Sequence, residues 1–446
     1  MEKNMKFYLT VLKIALPVTL QSLLQSSFSV IDEIMIGQLG TTNIAGIGLA
    51  GKFASVYSVL LGAIVTVAGI MISQYLGKKE EKEVGRSFYL NGGLAILLAV
   101  LFTIVCACIP QIVMSLYSKD SATITASAGY LRILSASFIP MAVVTMLSTM
   151  LRCLEMAVLP LVVTFAAAIV NTALNYVLIF GKFGMPELGV TGAAIATVAS
   201  HGISMVLILV LFFVYKKKKS VKIPFAIRMG KEARAQYIKI LLPILVCEFL
   251  WTLGENVYAI IYGHIGTKAC ASMTLTIPIQ IMIMGALSGL SQAAGIIIGK
   301  ALGQHKFDEA YEQSRKLIKY GFLGSLCLSI LLLIFGQFYV RIYQVEPEVR
   351  QVAWYILIAF AIVSPLKVQN MILGGGIIRS GGDTKTIMYI DLIGTWVFGV
   401  PLGLLTAFVL KLPIPLVYFI LSLEEGVRFA IEVVIFRKKK WMKQLQ

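Results

Sequence analysis

Asp32, Glu248, Glu255, Lys367, Asp391, Glu424, Arg428 and Glu432 all stand inside stretches that are otherwise apolar. A charged residue at the centre of a membrane helix costs about 2.5–3.5 kcal/mol on insertion scales, so each one needs a reason, either chemistry or a structural pair. Asp32 follows Pro17 by fifteen residues and is a candidate for exchanging a cation. Glu248 and Glu255 are seven apart, two turns along one helix face, with Thr252 between them. Glu248 is the first candidate for meeting a cationic substrate and Glu255 the second. Lys367 reads as a fixed counter-charge, as a partner of Glu248 or Asp391, or as a snorkelling side chain. Glu424, Arg428 and Glu432 recur every four residues and read as a structural ion-pair ladder. Pro17 and Pro243 lack the amide hydrogen that a helix needs and mark hinges.

The groups for enzymatic chemistry are missing. His201, His264 and His305 are isolated, and neither a His-Glu-x-x-His helix nor paired Asp-rich motifs occur. No strand precedes Gly374-Gly375-Gly376 or Gly381-Gly382, and no Gly-Lys-Ser/Thr follows, so they read as close helix packing and a turn. The six cysteines show neither metal nor disulfide spacing. The chain is therefore expected to be no enzyme and to carry no cofactor.

The elements that must position these residues follow from solvent. Of the 446 residues, 58% are hydrophobic and only 14% charged, whereas a soluble protein covers its surface with about 25% charged residues. Apolar runs long enough to cross a bilayer recur at 10–36, 44–74, 88–114, 124–151, 157–180, 189–215, 235–265, 269–301, 312–337, 348–377, 385–409 and 413–436. The net charge of +17 does not indicate nucleic acid, because the basic residues lie between these runs. With both termini cytoplasmic, 29 of the 39 Lys and Arg face inward and six outward. That bias sets the orientation and supports an even number of spans.

A shift of 226 residues lays the chain on itself. Leu16-Pro17 falls on Leu242-Pro243, Gly37, Gly40 and Thr41 on Gly263, Gly266 and Thr267, Gly69-Ile70 on Gly295-Ile296, and Leu76-Gly77 on Leu302-Gly303. Later pairs drift by one, with Tyr130 on Tyr355 and Arg152 on Arg379. The expected fold is an all-α integral membrane protein of twelve transmembrane helices. They form two six-helix lobes related by a pseudo-twofold along the membrane normal, a transporter signature. The lobes are 1–215 and 235–446, and a basic cytoplasmic linker, 216–234, joins them.

Several motifs carry a resemblance. They are Val30-Ile31-Asp32-Glu33-Ile34-Met35-Ile36-Gly37, Leu151-Arg152, Asn171-Thr172-Ala173-Leu174-Asn175-Tyr176, Leu188-Gly189-Val190-Thr191-Gly192-Ala193-Ala194-Ile195-Ala196-Thr197, and Ile378-Arg379-Ser380-Gly381-Gly382-Asp383-Thr384. Together they resemble the MATE (multidrug and toxic compound extrusion) family in its bacterial NorM/DinF-like range. The resemblance implies export of small cationic or amphiphilic organic compounds by a monomer in the bacterial inner membrane, driven by inward H⁺ or Na⁺. It also implies that Asp32, Asn171, Asn175 and Thr197 form an N-lobe cation site, a donor set that suits a hard ion such as Na⁺. Some members carry Asp at the Asn175 position, so this site has one carboxylate fewer. NorM-like members place a functional Glu in the seventh span at the position of Trp251, one turn from both Glu248 and Glu255. They carry an acid in the tenth span where this chain has Lys367-Val368. The alternative is a lipid-linked precursor flippase of the wider superfamily, which the small number of basic residues in the membrane core disfavours.

Overall fold

The computed structural model describes residues 2–39, 41–218, 223–226, 230–343 and 345–445. Gly40 and, within the linker, 219–222 and 227–229 lie outside them, as do the side chains of Glu33, Thr41, Lys217, Lys218 and Thr267. Helix dominates, and no strand occurs among the described residues. The spans are α1 (Glu2–Ile36), α2 (Thr41–Lys78), α3 (Glu81–Cys108), α4 (Ser121–Cys153), α5 (Val158–Phe180), α6 (Gly189–Lys218), α7 (Lys231–Ile265), α8 (Thr267–Gly303), α9 (Phe307–Arg341), α10 (Pro347–Ile378) and α11 (Thr384–Val409). The last span, α12, consists of two helices, Ile414–Leu421 and Glu424–Arg437.

Apolar faces point outward, as lipid requires. On α3 the exposed stripe is Leu97, Leu101 and Ile104, spaced as one helix face. α4 starts outside the apolar run at Asp120, whose carboxylate accepts from the Thr123 hydroxyl (2.5 Å) and amide (2.9 Å). The Thr123 hydroxyl first, then its amide, holds that carboxyl below the usual range.

The sequence pattern treats 413–436 as one continuous span, but the chain breaks at Ser422 and Leu423. The Glu425 amide bonds back to the Ser422 carbonyl, tightening the turn (3.1 Å). This break re-aims the start of the second helix, and the adjacent acids Glu424 and Glu425 are both buried. A second departure is that α10 ends as a π-helix over Met371–Ile378. α11 is π-helical over Ile393–Gly399 and Leu405–Val409. Such widened turns concentrate at functional sites.

The chain divides into two compact units. One, the N-unit, is Leu20–Ile72 with Glu80–Arg228; the other, the C-unit, is Met1–Thr19 and Ser73–Lys79 with Met229–Gln446. Within the N-unit, Tyr57 donates to the Phe138 carbonyl at 2.7 Å, and its ring packs on Phe138 and Phe102. Within the C-unit, Ile356, Leu357, Phe360, Val417 and Leu421 centre the apolar core. A crossing of α2 and α8 also belongs to the C-unit. A Cβ on Gly77 would overlap the Lys300 carbonyl, and one on Gly303 the Gln74 carbonyl. The four residues are two repeat pairs, 74 with 300 and 77 with 303. Gln74 is fully buried there: its amide nitrogen donates to the carbonyls of Ser380 (2.7 Å) and Lys443 (3.3 Å), and its oxygen accepts from the Leu445 amide (2.8 Å).

Candidate functional sites in the two units

Of the expected cation-site residues, the N-unit brings Asp32, Asn171 and Asn175 into contact. Gly181 ends α5 in the left-handed region at φ +61°, and the Leu188 amide returns to the Leu178 carbonyl at 2.9 Å. A Cβ on Gly192 would press on that same carbonyl (2.6 Å), so α5 and α6 close tightly on each other. Asn171 and Asn175, four apart, share a face of α5. The Asn175 amide nitrogen donates to Asp32 Oδ1 on α1 and to Asn171 Oδ1 (3.2 Å). Asn175 is wholly buried, and its Oδ1 has no hydrogen-bond partner among the described residues. Thr197 turns its hydroxyl to the Ala193 carbonyl (3.0 Å). Tyr130, buried on α4, adjoins both Thr197 and Asp32. Sequence reasoning used Tyr130 only to align the repeat, and its match to Tyr355 was the available signal.

The repeat-related arginines make equivalent contacts. Arg152 donates to Gln21 Oε1 (2.8 Å), and Gln21 donates to Thr164 (2.8 Å). Arg379 reaches Glu248 Oε1 (3.5 Å) and Cys247 Sγ (3.9 Å). Cys247 is the repeat partner of Gln21. Glu248 thus anchors α7 to the end of α10, at the place where Gln21 anchors α1 to the end of α4. Glu255, two turns further on, is exposed and makes no hydrogen bond or ion pair among the described residues. Its neighbouring charges are Lys367, Glu425 and Arg428.

Neither Glu248 nor Asp391 is the partner of Lys367. Its ammonium lies 3.8 Å from Glu425 and stands over the Tyr418 ring at 5.9 Å. Asn370 also donates to Glu425 Oε2 (2.8 Å). Asp391 pairs with Arg428 (3.3 Å) and accepts from the Cys247 thiol (2.8 Å). Arg428 further bonds Thr395 and pairs with Glu424 (3.6 Å), which accepts from Tyr258 (2.7 Å). The expected ladder on α12 is therefore present at Glu424 and Arg428. It is joined to α7 and α11 through Tyr258, Thr395 and Asp391, which its four-residue spacing alone does not reveal. Among the described residues, no group of three His, Cys, Asp or Glu is placed to hold a metal ion.

The MatE family model matches the chain twice, at residues 17–177 and 243–405. The two matches begin 226 residues apart, the register of the internal repeat. An uncharacterised transporter, YisQ of Bacillus subtilis, is 25% identical over 93% of this chain and 90% of its own length. The probable multidrug resistance protein NorM of Thermotoga maritima is 22% identical over 97% and 93%. A solved outward-facing structure of a multidrug resistance MATE family transporter superposes with a TM-score of 0.87 at 16% identity, covering 97% of this chain and 96% of that one. Because both copies of the repeat are recognised, each in its own register, the chain belongs to the MatE family of membrane transporters.

Proposed function

We propose that this transporter is a monomeric antiporter that exports small cationic or amphiphilic organic compounds across the bacterial cytoplasmic membrane. Transport proceeds by alternating access and is coupled to inward movement of a cation, with both termini cytoplasmic. The proposed lobes are 1–215 and 235–446, joined by the basic linker 216–234. The observation that carries the reading is the Asp32–Asn175–Asn171 cluster, part-buried and set inside apolar helices of the N-unit. A carboxyl in such a place alters the charge of the membrane core by one when its cation leaves, which is what coupling needs. The names of the NorM relatives support the multidrug assignment.

H⁺ is the preferred coupling ion. Asn175 meets Asp32 Oδ1 through its amide N–H, so the cluster offers a sodium ion one carboxylate and few other oxygen ligands. In the C-unit we assign contact with the cationic substrate to Glu255 ahead of Glu248, because Glu248 is engaged by Arg379 and Glu255 is exposed. Lys367, paired with Glu425, gives no support to the cationic cavity of a lipid-precursor flippase. Efflux of a fluorescent cationic dye from everted vesicles, driven separately by imposed pH and Na⁺ gradients, tests the proposal. A pH gradient alone is expected to drive it. Failure under both gradients sinks the antiport reading, and a response to Na⁺ alone sinks the choice of ion.

A further inference from the structure

Three charged residues on α12, Glu424, Arg428 and Glu432, lie one turn apart on a single face and are 5%, 7% and 3% exposed. Each meets a glycine in a π-helical stretch. A Cβ on Gly399 would overlap Glu424, one on Gly394 would overlap Arg428, and one on Gly374 would overlap Glu432 Oε1. Gly394 and Gly399 belong to Ile393–Gly399, and Gly374 to Met371–Ile378. The widened backbone and the missing side chains together form three notches, each filled by a charged group.

Two of the three groups are ion-paired, although Arg428 Nε, like Arg379 Nε, has no hydrogen-bond partner among the described residues. Glu424 accepts from Tyr258 and pairs with Arg428, and Arg428 also holds Asp391 and Thr395. Glu432 differs. Its Oε2 is fully buried without a hydrogen bond, and the carboxyl has no ion pair among the described residues. The charged groups facing it are Arg428 and Glu425 on its own helix, Asp391 on α11 and Arg379 beyond the π-helical end of α10. Both arginines are committed elsewhere, Arg428 to Asp391 and Glu424, and Arg379 to Glu248. Lys367 is held by Glu425. An ionised Glu432 therefore has no ion pair of its own at a buried position, the two arginines that face it being shared with other acids, whereas a carboxylic acid there carries no charge. Gly374 packs directly against Oε1, which leaves no room for the several oxygen ligands of a metal ion. Glu432 also lies beyond both stretches matched by the family model.

We propose that Glu432 is a proton-binding carboxyl, a second one beside Asp32, which loads and unloads one proton during each transport cycle. Its part in the cycle rests on the antiport reading, but the binding of a proton does not. The balance is simple: the O–H bond forms on Glu432 with a proton from water on one side of the membrane and breaks to water on the other.

The test uses the full-length protein in lipid nanodiscs and infrared difference spectra between acidic and alkaline buffer. Wild type is expected to show a protonated-carboxyl band that Glu432→Gln loses, Glu432→Asp shifts and Asp32→Asn retains. In reconstituted vesicles Glu432→Gln is expected to lose pH-driven efflux while still binding dye. A band unchanged in Glu432→Gln overturns the proposal. So does a band that added Na⁺ abolishes at constant pH, since the ligand is then a metal cation. Should Glu432→Gln fail to fold, Gly374→Ala, which presses a methyl group on Oε1, must shift the band; an unshifted band is equally fatal. If wild type exports dye under neither gradient, the antiport reading fails, while the infrared band still decides whether Glu432 takes a proton.

Discussion

Replacing Asp32 by asparagine separates charge from shape in the N-unit. In the wild type the Asn175 amide donates to the Asp32 carboxylate. A hydrogen bond to a charged group contributes about 1.5–3 kcal/mol, and one to a neutral carbonyl about 0.5–1.5 kcal/mol. Asparagine at position 32 keeps an acceptor for the same donor, so the stability loss is the difference, about 1–1.5 kcal/mol. That is small enough for the protein to fold and insert. The effect on transport is larger. One elementary charge moved through 100 mV supplies about 2.3 kcal/mol, which at about 1.36 kcal/mol per tenfold supports a roughly fifty-fold gradient. An amide cannot exchange a cation, so accumulation of a neutral dye in everted vesicles under a potential of about 100 mV is expected to fall by about that factor. The assay needs equal amounts of both proteins and a thermal unfolding midpoint for each. Wild-type accumulation by a well-folded Asp32→Asn protein refutes the reasoning and removes Asp32 from coupling.

Glu255→Gln is expected to weaken export of a cationic dye more than that of a matched neutral one, because the exposed carboxylate meets the positive charge; equal effects on both dyes exclude that role. Glu248→Ala is expected to lower the denaturation midpoint, since about 1.5–3 kcal/mol of charge-assisted contact with Arg379 is lost, while cation preference stays unchanged. Gln74→Ala orphans the carbonyls of Ser380 and Lys443 and the amide of Leu445, at about 1–3 kcal/mol for each group left unsatisfied. Its C-terminal residues should then be cut by a protease more readily than in wild type, and unchanged cleavage counts against that anchoring. A cysteine placed in the 216–234 linker should react with a membrane-impermeant reagent only from the cytoplasmic side; labelling from outside reverses the assigned orientation.

Membrane burial made the helices legible, because each span needs about 20 apolar residues regardless of what it packs against. The repeat was legible because both copies kept the residues that set close approach, such as Gly77 and Gly303 at the crossing of α2 and α8. In the N-unit, the family resemblance named Asp32, Asn171 and Asn175, and the helical period added only that the two asparagines share one face. The C-unit was less readable. Nothing in the spacing of Lys367 distinguishes Glu425 from Asp391 or Glu248 as its partner, since the choice depends on how α10, α11 and α12 rotate against one another. The π-helical stretches and the break at Ser422 left no periodic signature either. They change the phase of a helix face midway, so a four-residue spacing read through them misplaces the neighbours.

The arginine closing each repeat shows how one scaffold came to hold two different electrostatic sites. Arg152 finds a neutral partner in Gln21, so Asp32, the acid of the candidate cation site, stands apart from the anchor. Arg379 finds Glu248, so the C-unit anchor is itself an ion pair. Removing that acid leaves a guanidinium that is mostly buried, an expensive group to strand. Glu248 is therefore poorly suited to give up its charge in each cycle. Among the C-unit acids that sequence reasoning placed inside apolar spans, those without an ion pair among the described residues are Glu255, which is exposed, and Glu432, which is buried at Gly374. An exposed acid can meet a bulky organic cation. A carboxyl sealed in a glycine notch has room only for a proton, so in the proposed mechanism geometry assigns substrate contact to the first acid and proton exchange to the second.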